Sequence, residues 1–233
     1  MIDLKNVSYE TNSRELFSDV SFAINAGDKI GLVGSNGVGK TTLLKIINGD
    51  IQPTSGDIIS GGEEIGILPQ NLNKWLDKTV YDFIEEVTGV KSAREEFDYQ
   101  CERLTQEASE KTLLAYGEAL ERYEKFEVAN FDTTIKKALS RATLGDIDPD
   151  RRLNTFSGGQ RTRIALAAVF ASRYDLILLD EPTNNLDDSG VILLEDFIDN
   201  SPASFLIVSH DRHFLRNTAE RIIELTGGKG VNK

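Results

Sequence analysis

A glycine-rich loop that starts at Gly34 constrains the fold of this chain more than any other feature of its sequence. The loop reads Gly-Ser-Asn-Gly-Val-Gly-Lys-Thr. It lies between the apolar run Lys29 to Val33 and the segment Lys40 to Ile47, whose Leu and Ile residues recur at helical spacing. A strand, a loop with this spacing and a helix, in that order, are typical of a phosphate-binding loop in an α/β fold. The sequence therefore predicts a sheet with a nucleotide site at its edge.

The residue types of this loop suit a nucleotide phosphate. Glycines let successive backbone N–H groups turn toward an anion, and the start of the following helix adds positive potential. Lys40 is expected to reach the β- and γ-phosphate oxygens, and the Thr41 hydroxyl to bind Mg²⁺. The predicted nucleotide contacts are Gly34, Ser35, Asn36, Gly37, Val38, Gly39, Lys40, Thr41 and Thr42. A glycine turn of purely structural use is the alternative, and the flanking strand and helix disfavour it.

Two acidic residues follow a second apolar strand. The run Leu176 to Leu179 predicts a buried strand of a parallel sheet, and Asp180 and Glu181 come directly after it, at the edge where ligands of such sheets bind. Asp180 is a candidate to hold Mg²⁺ through its water shell, and Glu181 to orient and polarise the water that attacks the γ-phosphate. Two acids after a strand are otherwise typical of a helix cap or a solvated pair. Their presence with the glycine loop in one chain favours the catalytic interpretation.

The middle of the chain, from about residue 71 to 150, has the pattern of helices. Mostly apolar positions recur at steps of three and four, which predicts two amphipathic helices joined near Ser109 to Lys111, with shorter helices at Thr79 to Val87 and Thr133 to Thr143. One such stripe is Leu113, Tyr116, Leu120 and Tyr123. The hairpin is either a subdomain packed on itself or a protruding docking arm. Its acidic balance disfavours an RNA-binding surface.

Strands and helices alternate again after residue 150. Gly158 to Ser172 and Val191 to Ile198 are predicted helices, and Phe205 to Val208 is a predicted apolar strand. This alternation implies a mostly parallel sheet covered on both faces, and hence the α/β class.

Charge and cysteine content exclude several classes of function. The formal net charge is −12, which argues against nonspecific attraction to nucleic acid or anionic lipid. A single cysteine and two histidines exclude an internal disulfide framework and a structural zinc site. No apolar run reaches the ~18 residues of a membrane-spanning helix, and the first residues lack the pattern of a signal peptide. We therefore expect a cytoplasmic protein without direct membrane insertion.

Five short motifs follow one another along nearly the whole chain. They are Gly34 to Thr41, Gln70, Phe156 to Gln160, Asp180 to Thr183 and Ser209 to Asp211. In this order they resemble the motif set of an ABC-type ATPase domain. The resemblance implies a P-loop ATPase fold with a mostly parallel core sheet, an antiparallel β subdomain and an inserted α-helical subdomain or arm. It also implies that the chain binds and hydrolyses ATP with Mg²⁺.

The resemblance assigns roles to single residues. It implies that Gln70 contacts Mg²⁺ and the attacking water, so the expected metal ligands are Thr41, Gln70 and Asp180. It further implies that His210 contacts the γ-phosphate and helps to position Glu181. Without the resemblance, a lone histidine after a strand would more often be structural.

An aromatic residue and a second glycine motif complete the expected nucleotide contacts. Tyr9 stands where the family stacks an aromatic ring on adenine, and a core aromatic on a strand face is the alternative. The residues Ser157, Gly158, Gly159 and Gln160 begin a predicted helix, whose free N–H groups and Ser157 hydroxyl form a second anion site. In the family this site serves the ATP held by another domain, so two domains pair head to tail around two ATP molecules. The chain has one copy of each half-site and therefore requires a second ATPase domain as its partner.

Details of the sequence separate branches of this family. The runs Ser157 to Ala167 and Pro182 to Asp187, with the long insertion between Gln70 and Ser157, resemble the ABC-F proteins. Asn185 departs from that pattern, which usually has histidine there. The resemblance implies an ATPase that regulates translation on the ribosome, with protection of the ribosome from antibiotics as one form of that role. The alternatives are the ATP-binding motor subunit of a membrane transporter and a nucleotide-gated scaffold.

The expected organisation has four parts. Residues 1–70 would form the ATP-binding core with the β subdomain, 71–150 the helical insertion, 151–225 the rest of the core and 226–233 a flexible tail. Because ABC-F proteins continue into a helical linker and a second ATPase domain, we expect this chain to be the first part of a longer protein. A short chain that forms homodimers is the alternative. We expect weak ATP turnover from the isolated domain, because its two half-sites do not face the same nucleotide.

Overall fold

The computed structural model of the chain describes residues 1–11, 14–69, 72–227 and 230–232. It divides into two compact units. The first, which we call the sheet unit, comprises residues 1–70 and 174–233, and the second, the helical unit, comprises residues 71–173. The helical unit is therefore an insertion into the sequence of the sheet unit.

Strands and helices follow one another along the chain largely in the predicted alternation. The strands are β1 (Ile2–Thr11), β2 (Arg14–Ile24), β3 (Lys29–Gly34), β4 (Ser55–Ile59), β5 (Ile65–Leu68), β6 (Leu176–Asp180), β7 (Ser204–Val208), β8 (Arg221–Leu225) and β9 (Gly230–Asn232). The α-helices are α1 (Lys40–Ile47), α2 (Val80–Val87), α3 (Val90–Gln106), α4 (Glu110–Lys125), α5 (Phe131–Arg141), α6 (Gly158–Ala171), α7 (Asp188–Asn200) and α8 (Arg212–Thr218).

The sheet unit contains two sheets. The larger has the spatial order β5-β6-β7-β3-β8-β9, in which the first five strands are parallel and β9 is antiparallel to β8. The smaller is antiparallel, with the order β2-β1-β4. Strands β6 and β7 are almost wholly apolar and buried, as expected for parallel strands covered on both faces. The α/β prediction with a parallel core sheet and an antiparallel β subdomain is confirmed.

One apolar core joins the two sheets to α1. Fully buried side chains include Phe17 of β2, Ile30 and Leu32 of β3, and Leu43 and Leu44 of α1. These α1 residues fall on one face because a helix turns once in about 3.6 residues. This packing fixes the start of α1 relative to β3, and so determines where the glycine loop between them lies.

The helical unit is built from α2 to α6. Helices α3 and α4 form the predicted hairpin, in which the ring of Phe97 lies 5.7 Å from Tyr116 and 4.5 Å from Tyr123 between centroids. Helix α4 starts with a capping box, in which Thr112 N–H donates to Ser109 Oγ and Ser109 N–H donates to Thr112 Oγ1. Leu113, predicted on the apolar stripe, is exposed in this first turn.

Two boundaries differ from the prediction. Helix α6 packs against α5 and α2, so the helical unit continues to residue 173 instead of ending at 150. The predicted tail includes the strand β9, which pairs with β8, because backbone pairing at a sheet edge needs no apolar side-chain pattern. Among the described residues, no helix is long and apolar enough to cross a membrane.

Candidate functional site

Most of the predicted site residues lie at the carboxyl ends of three neighbouring parallel strands. Strand β7 lies between β6 and β3. The glycine loop follows β3, Asp180 ends β6, Glu181 comes next, and His210 lies two residues beyond β7. Parallel strands end at one edge of their sheet, and that edge is where ligands of such sheets bind. The pairing of the strands therefore makes one site from segments far apart in sequence.

The glycine loop is a tight turn that leads into α1. Val38 N–H donates to the carbonyl of Ser35 at 3.3 Å, and Gly37 between them has a φ of 76°. A positive φ at the third residue of a turn favours glycine, which has no β-carbon. Gly39 precedes α1 with a φ of 110°, and a β-carbon there would lie 2.8 Å from Phe17 Cδ1. Gly39 therefore needs glycine both for its backbone angle and for the close approach of the ring.

Lys40 lies over this loop. Its ammonium group donates to the carbonyl oxygens of Gly34 at 2.8 Å and Ser35 at 3.2 Å, and the residue is only 8% exposed. Its Nζ also lies 3.5 Å from His210 Nε2. A buried ammonium group needs oxygen partners to offset its lost hydration, and phosphate oxygens would satisfy the same requirement.

Thr41 and Asp180 form the oxygen-rich part of the site. The Thr41 hydroxyl donates to Asp180 Oδ2 at 2.6 Å, which joins the first turn of α1 to the end of β6. Hydroxyl and carboxylate oxygens are the ligands that Mg²⁺ prefers in proteins. The two side chains therefore fit Mg²⁺, and their role as metal ligands stays a prediction. The third expected ligand, Gln70, lies outside the described residues.

Glu181 is held in place by the end of β7. Its N–H donates to the carbonyl of Val208 at 2.8 Å, and one carboxylate oxygen, Oε2, accepts from the backbone N–H of His210 at 3.2 Å. The other oxygen, Oε1, lies 3.4 Å from His210 Nε2. The Glu181 side chain is 16% exposed, whereas that of His210 is 56% exposed. This arrangement presents a fixed carboxylate that can accept a proton from a water molecule.

Tyr9 packs against Phe17, the residue that lies next to Gly39 of the glycine loop. It is half-buried on β1, opposite Phe17 of β2, and the two ring centroids are 6.4 Å apart. Phe17 in turn touches Gly39. This packing agrees with the alternative of a core aromatic. Because only the Phe17 ring separates Tyr9 from the loop, Tyr9 is still a candidate for stacking on a base.

The second glycine motif lies in the helical unit and begins α6. Ser157 is the N-cap: its Oγ accepts from Gln160 N–H at 3.3 Å, while its own N–H donates to Gln160 Oε1 at 3.0 Å. Gly158 and Gly159 are exposed, and a β-carbon at either would meet no atom within 4 Å. The start of α6 is therefore accessible to an anion, and the anion site itself stays a prediction.

Two residues near the loop are absent from the sequence prediction. Phe17 packs on Gly39, and Arg14 Nη2 donates to the carbonyl of Gly37 at 2.7 Å. The register of β1 and β2 shifts between Val20 and Phe17, which interrupts the alternation of apolar residues, so no strand pattern in the sequence leads to Phe17. No motif indicates Arg14, whose role arises from strand pairing.

Comparisons with known proteins agree with this geometry. A family model described as ABC transporter matches residues 17–184. The tylosin resistance ATP-binding protein TlrC of Streptomyces fradiae is 38% identical, over 100% of this chain and 43% of that protein. The energy-dependent translational throttle protein EttA of Mycobacterium tuberculosis is 34% identical, over 97% of this chain and 40% of that protein. ABC transporter F family member 5 of Arabidopsis thaliana is 32% identical, over 97% of this chain and 34% of that protein. The chain thus spans less than half the length of these relatives.

Solved structures share the fold. The ATP-binding cassette MJ0796, in a dimeric post-hydrolysis state bound to ADP and Pi, aligns with a TM-score of 0.68 and 24% identity, over 100% of this chain and 98% of that one. The ATP binding subunit of an ABC transporter aligns with a TM-score of 0.72 and 18% identity, over 100% and 90% of the two chains. The predicted resemblance to an ABC-type ATPase domain is confirmed.

Proposed function

This chain belongs to the ABC transporter family of ATPase domains, and from that premise we propose that it binds ATP on its glycine loop and hydrolyses it with Glu181 as the general base. One observation carries the proposal. One edge of the large sheet carries an ammonium group, a hydroxyl–carboxylate pair and a second carboxylate held by a histidine. Lys40 donates to the glycine loop, Thr41 donates to Asp180, and His210 donates to Glu181. These are the functional groups that ATP hydrolysis requires.

The phosphates would bind to the N–H groups of the loop and the start of α1. Lys40 would exchange the carbonyl oxygens of Gly34 and Ser35 for phosphate oxygens at the same loop. Thr41 and Asp180 would hold Mg²⁺, which when bound neutralises charge on the phosphates. We include Gln70 as a further ligand on the resemblance alone.

Glu181 would orient the attacking water and accept its proton. The backbone N–H of His210 fixes the direction of one carboxylate oxygen. The Nε2 of His210 lies 3.4 Å from the other oxygen, and on ATP binding it would turn from Glu181 to donate to the γ-phosphate. Fixing the base in advance lowers the barrier because less reorganisation is needed in the transition state.

We further propose that the domain acts as half of a pair. The open start of α6 would bind the γ-phosphate of ATP held by a second ATPase domain, and the glycine loop of this chain would face the α6 equivalent of that partner. Burying ATP phosphates between two domains stabilises only the closed pair, so hydrolysis at Glu181 would release it. The dimeric state described for the cassette MJ0796 supports this arrangement.

The process in which the ATP-bound pair of domains acts is inferred from the relatives. One is named for throttling translation and another for resistance to tylosin. With the ABC-F resemblance of the sequence, these names support a cytoplasmic role in regulating translation on the ribosome, including protection from antibiotics. The transporter motor is the second candidate, favoured by the solved ATP binding subunit with the same fold.

The proposal is tested with Glu181→Gln, which preserves shape but removes the base. We expect ATP binding to persist, hydrolysis to fall by at least about 10²-fold, and a long-lived closed pair to form when a second ATPase domain is supplied. Glu220→Gln is the matched control, because it makes the same substitution at an exposed site. The backbone N–H of Glu220 donates to the carbonyl of Lys29, at the edge of the sheet opposite Glu181. Unchanged hydrolysis in Glu181→Gln would refute the assigned base. Co-sedimentation of the ATP-locked pair with ribosomes separates the two candidate roles, since a transporter motor would remain in the supernatant.

A further inference from the structure

The hairpin formed by β1 and β2 touches the glycine loop at two points. The ring of Phe17 lies against Gly39, and the guanidinium group of Arg14 donates to the carbonyl of Gly37 at 2.7 Å. Phe17 is fully buried, while Arg14 is exposed at the end of the hairpin. The apolar contact therefore fixes the end of the loop next to α1, and the polar contact fixes its outer turn.

The polar contact acts on one peptide plane. The carbonyl of Gly37 and the N–H of Val38 belong to the same planar trans peptide, so they point in opposite directions. Arg14 holds the carbonyl, and the carbonyl of Ser35 accepts from the Val38 N–H at 3.3 Å on the other side. Bonds on both sides of this peptide prevent it from rotating. Without Arg14, only the longer of the two bonds would oppose rotation.

Gly37 is the position where such a restraint matters most. Its φ is 76°, and a β-carbon added there would meet no atom within 4 Å, so neither side-chain packing nor sterics limits its backbone. Arg14 itself is fixed at its backbone by pairing with Thr11, whose hydroxyl donates to the Arg14 carbonyl at 3.1 Å. Arg14, anchored in the small sheet, therefore restrains Gly37, the loop residue whose backbone its neighbours restrict least.

We propose that Arg14 is a positioning residue for nucleotide binding, which holds the Gly37–Val38 peptide so that the following N–H groups face the phosphates. This inference rests on the proposed function of the glycine loop. A loop that is already ordered loses less conformational freedom when it binds, so removal of the restraint weakens affinity. Because the loop would hold the phosphates common to ATP and ADP, both nucleotides should be affected alike.

The test measures equilibrium binding of ATP and of ADP to variants of this chain by isothermal titration. For Arg14→Ala we expect both affinities to fall by about three- to tenfold, the range of one ordinary hydrogen bond, because the exposed guanidinium group is screened by solvent. Arg14→Gln keeps an N–H donor without the charge and should restore part of the loss. Arg216→Ala is the control, because Arg216 is an exposed arginine of α8 in the same unit and its removal changes the net charge equally.

Four results would overturn the positioning role. The first is wild-type affinity in Arg14→Ala, and the second is a loss confined to ATP, which would make Arg14 a direct γ-phosphate ligand. The other two are a loss matched by Arg216→Ala and a loss left unrestored by Arg14→Gln, either of which would make it a charge effect. Circular dichroism and thermal unfolding confirm that each variant is folded. Lys40→Ala in the same titration separates this inference from the proposed function. If Lys40→Ala also binds like the wild type, the glycine loop is not the nucleotide site, whereas if only Arg14→Ala does, the positioning role alone is wrong.

Discussion

Replacing Gly39 by alanine tests whether the β1–β2 hairpin packs against the glycine loop as described. The new β-carbon would lie 2.8 and 2.9 Å from two ring carbons of Phe17, which is fully buried. Such overpacking costs about 1–3 kcal/mol, and an alanine at this positive φ costs about 1–2 kcal/mol more. The lower entropy of the unfolded chain offsets about 0.4–1 kcal/mol. We therefore expect the sheet unit to lose about 1–4.6 kcal/mol of stability.

Gly37→Ala provides a matched control. Its φ is also positive, yet a β-carbon there would meet no atom within 4 Å. Only the backbone cost applies, so we expect a loss of about 1.6 kcal/mol or less. The difference between the two variants isolates the contact with Phe17 from the strain of the backbone.

Hydrogen exchange of the β3 amides reports the stability of the sheet unit directly. Phe17→Leu removes the ε-carbon and replaces the rigid ring by methyl groups that can turn away from residue 39. In a double-mutant cycle we expect it to recover about 1 kcal/mol or more of the Gly39→Ala loss as a coupling free energy. Equal losses in Gly39→Ala and Gly37→Ala, or no coupling with Phe17→Leu, would refute the packing of the hairpin on the loop.

The remaining predictions concern the metal ligands, the helical unit and the start of α6. Asp180→Asn should weaken ATP binding in the presence of Mg²⁺ but leave binding in a chelator unchanged, as measured by titration in both buffers. The hydrogen bond from Arg173 lowers the pKa of Glu127, so this pair stabilises the fold above the ordinary pKa of about 4.3 and the contribution is lost as pH falls below it. Glu127→Gln should therefore flatten the pH dependence of unfolding, followed by the fluorescence of Trp75, the single tryptophan. Ser157→Ala should cost about 1 kcal/mol by removing the N-cap of α6, and Ser157→Thr should retain most of that stability.

The sequence predicts the core of this fold well because its signals are local. The strand, loop and helix around Gly34 and the apolar strand that ends at Asp180 combine an apolar run with residue types that suit only one backbone geometry. The boundary of the helical unit is less predictable. Helix α6 begins with a capping box that marks its start, but its assignment to the helical unit depends on packing against α5 and α2, which no local pattern encodes.

The candidate site also combines residues that local patterns predict with residues that only tertiary packing brings there. Lys40, Thr41, Asp180 and Glu181 lie at or just after the ends of predicted parallel strands, so their position at the carboxyl edge of the sheet is predictable from the sequence. Arg14 reaches the loop only because β2 pairs with β1 through an irregular register, and that register depends on tertiary packing. The contact from the His210 N–H to the Glu181 carboxylate likewise depends on β7 lying beside β6.

Isothermal titration of Mg²⁺-ATP into the wild-type chain and into Lys40→Ala tests the central claim most directly. The wild type should bind one ATP per chain. Lys40→Ala should bind at least about tenfold more weakly, because hydrogen bonds from the ammonium group to phosphate are worth about 1.5–3 kcal/mol. Equal affinity of the two proteins would contradict the claim that the glycine loop is the nucleotide site.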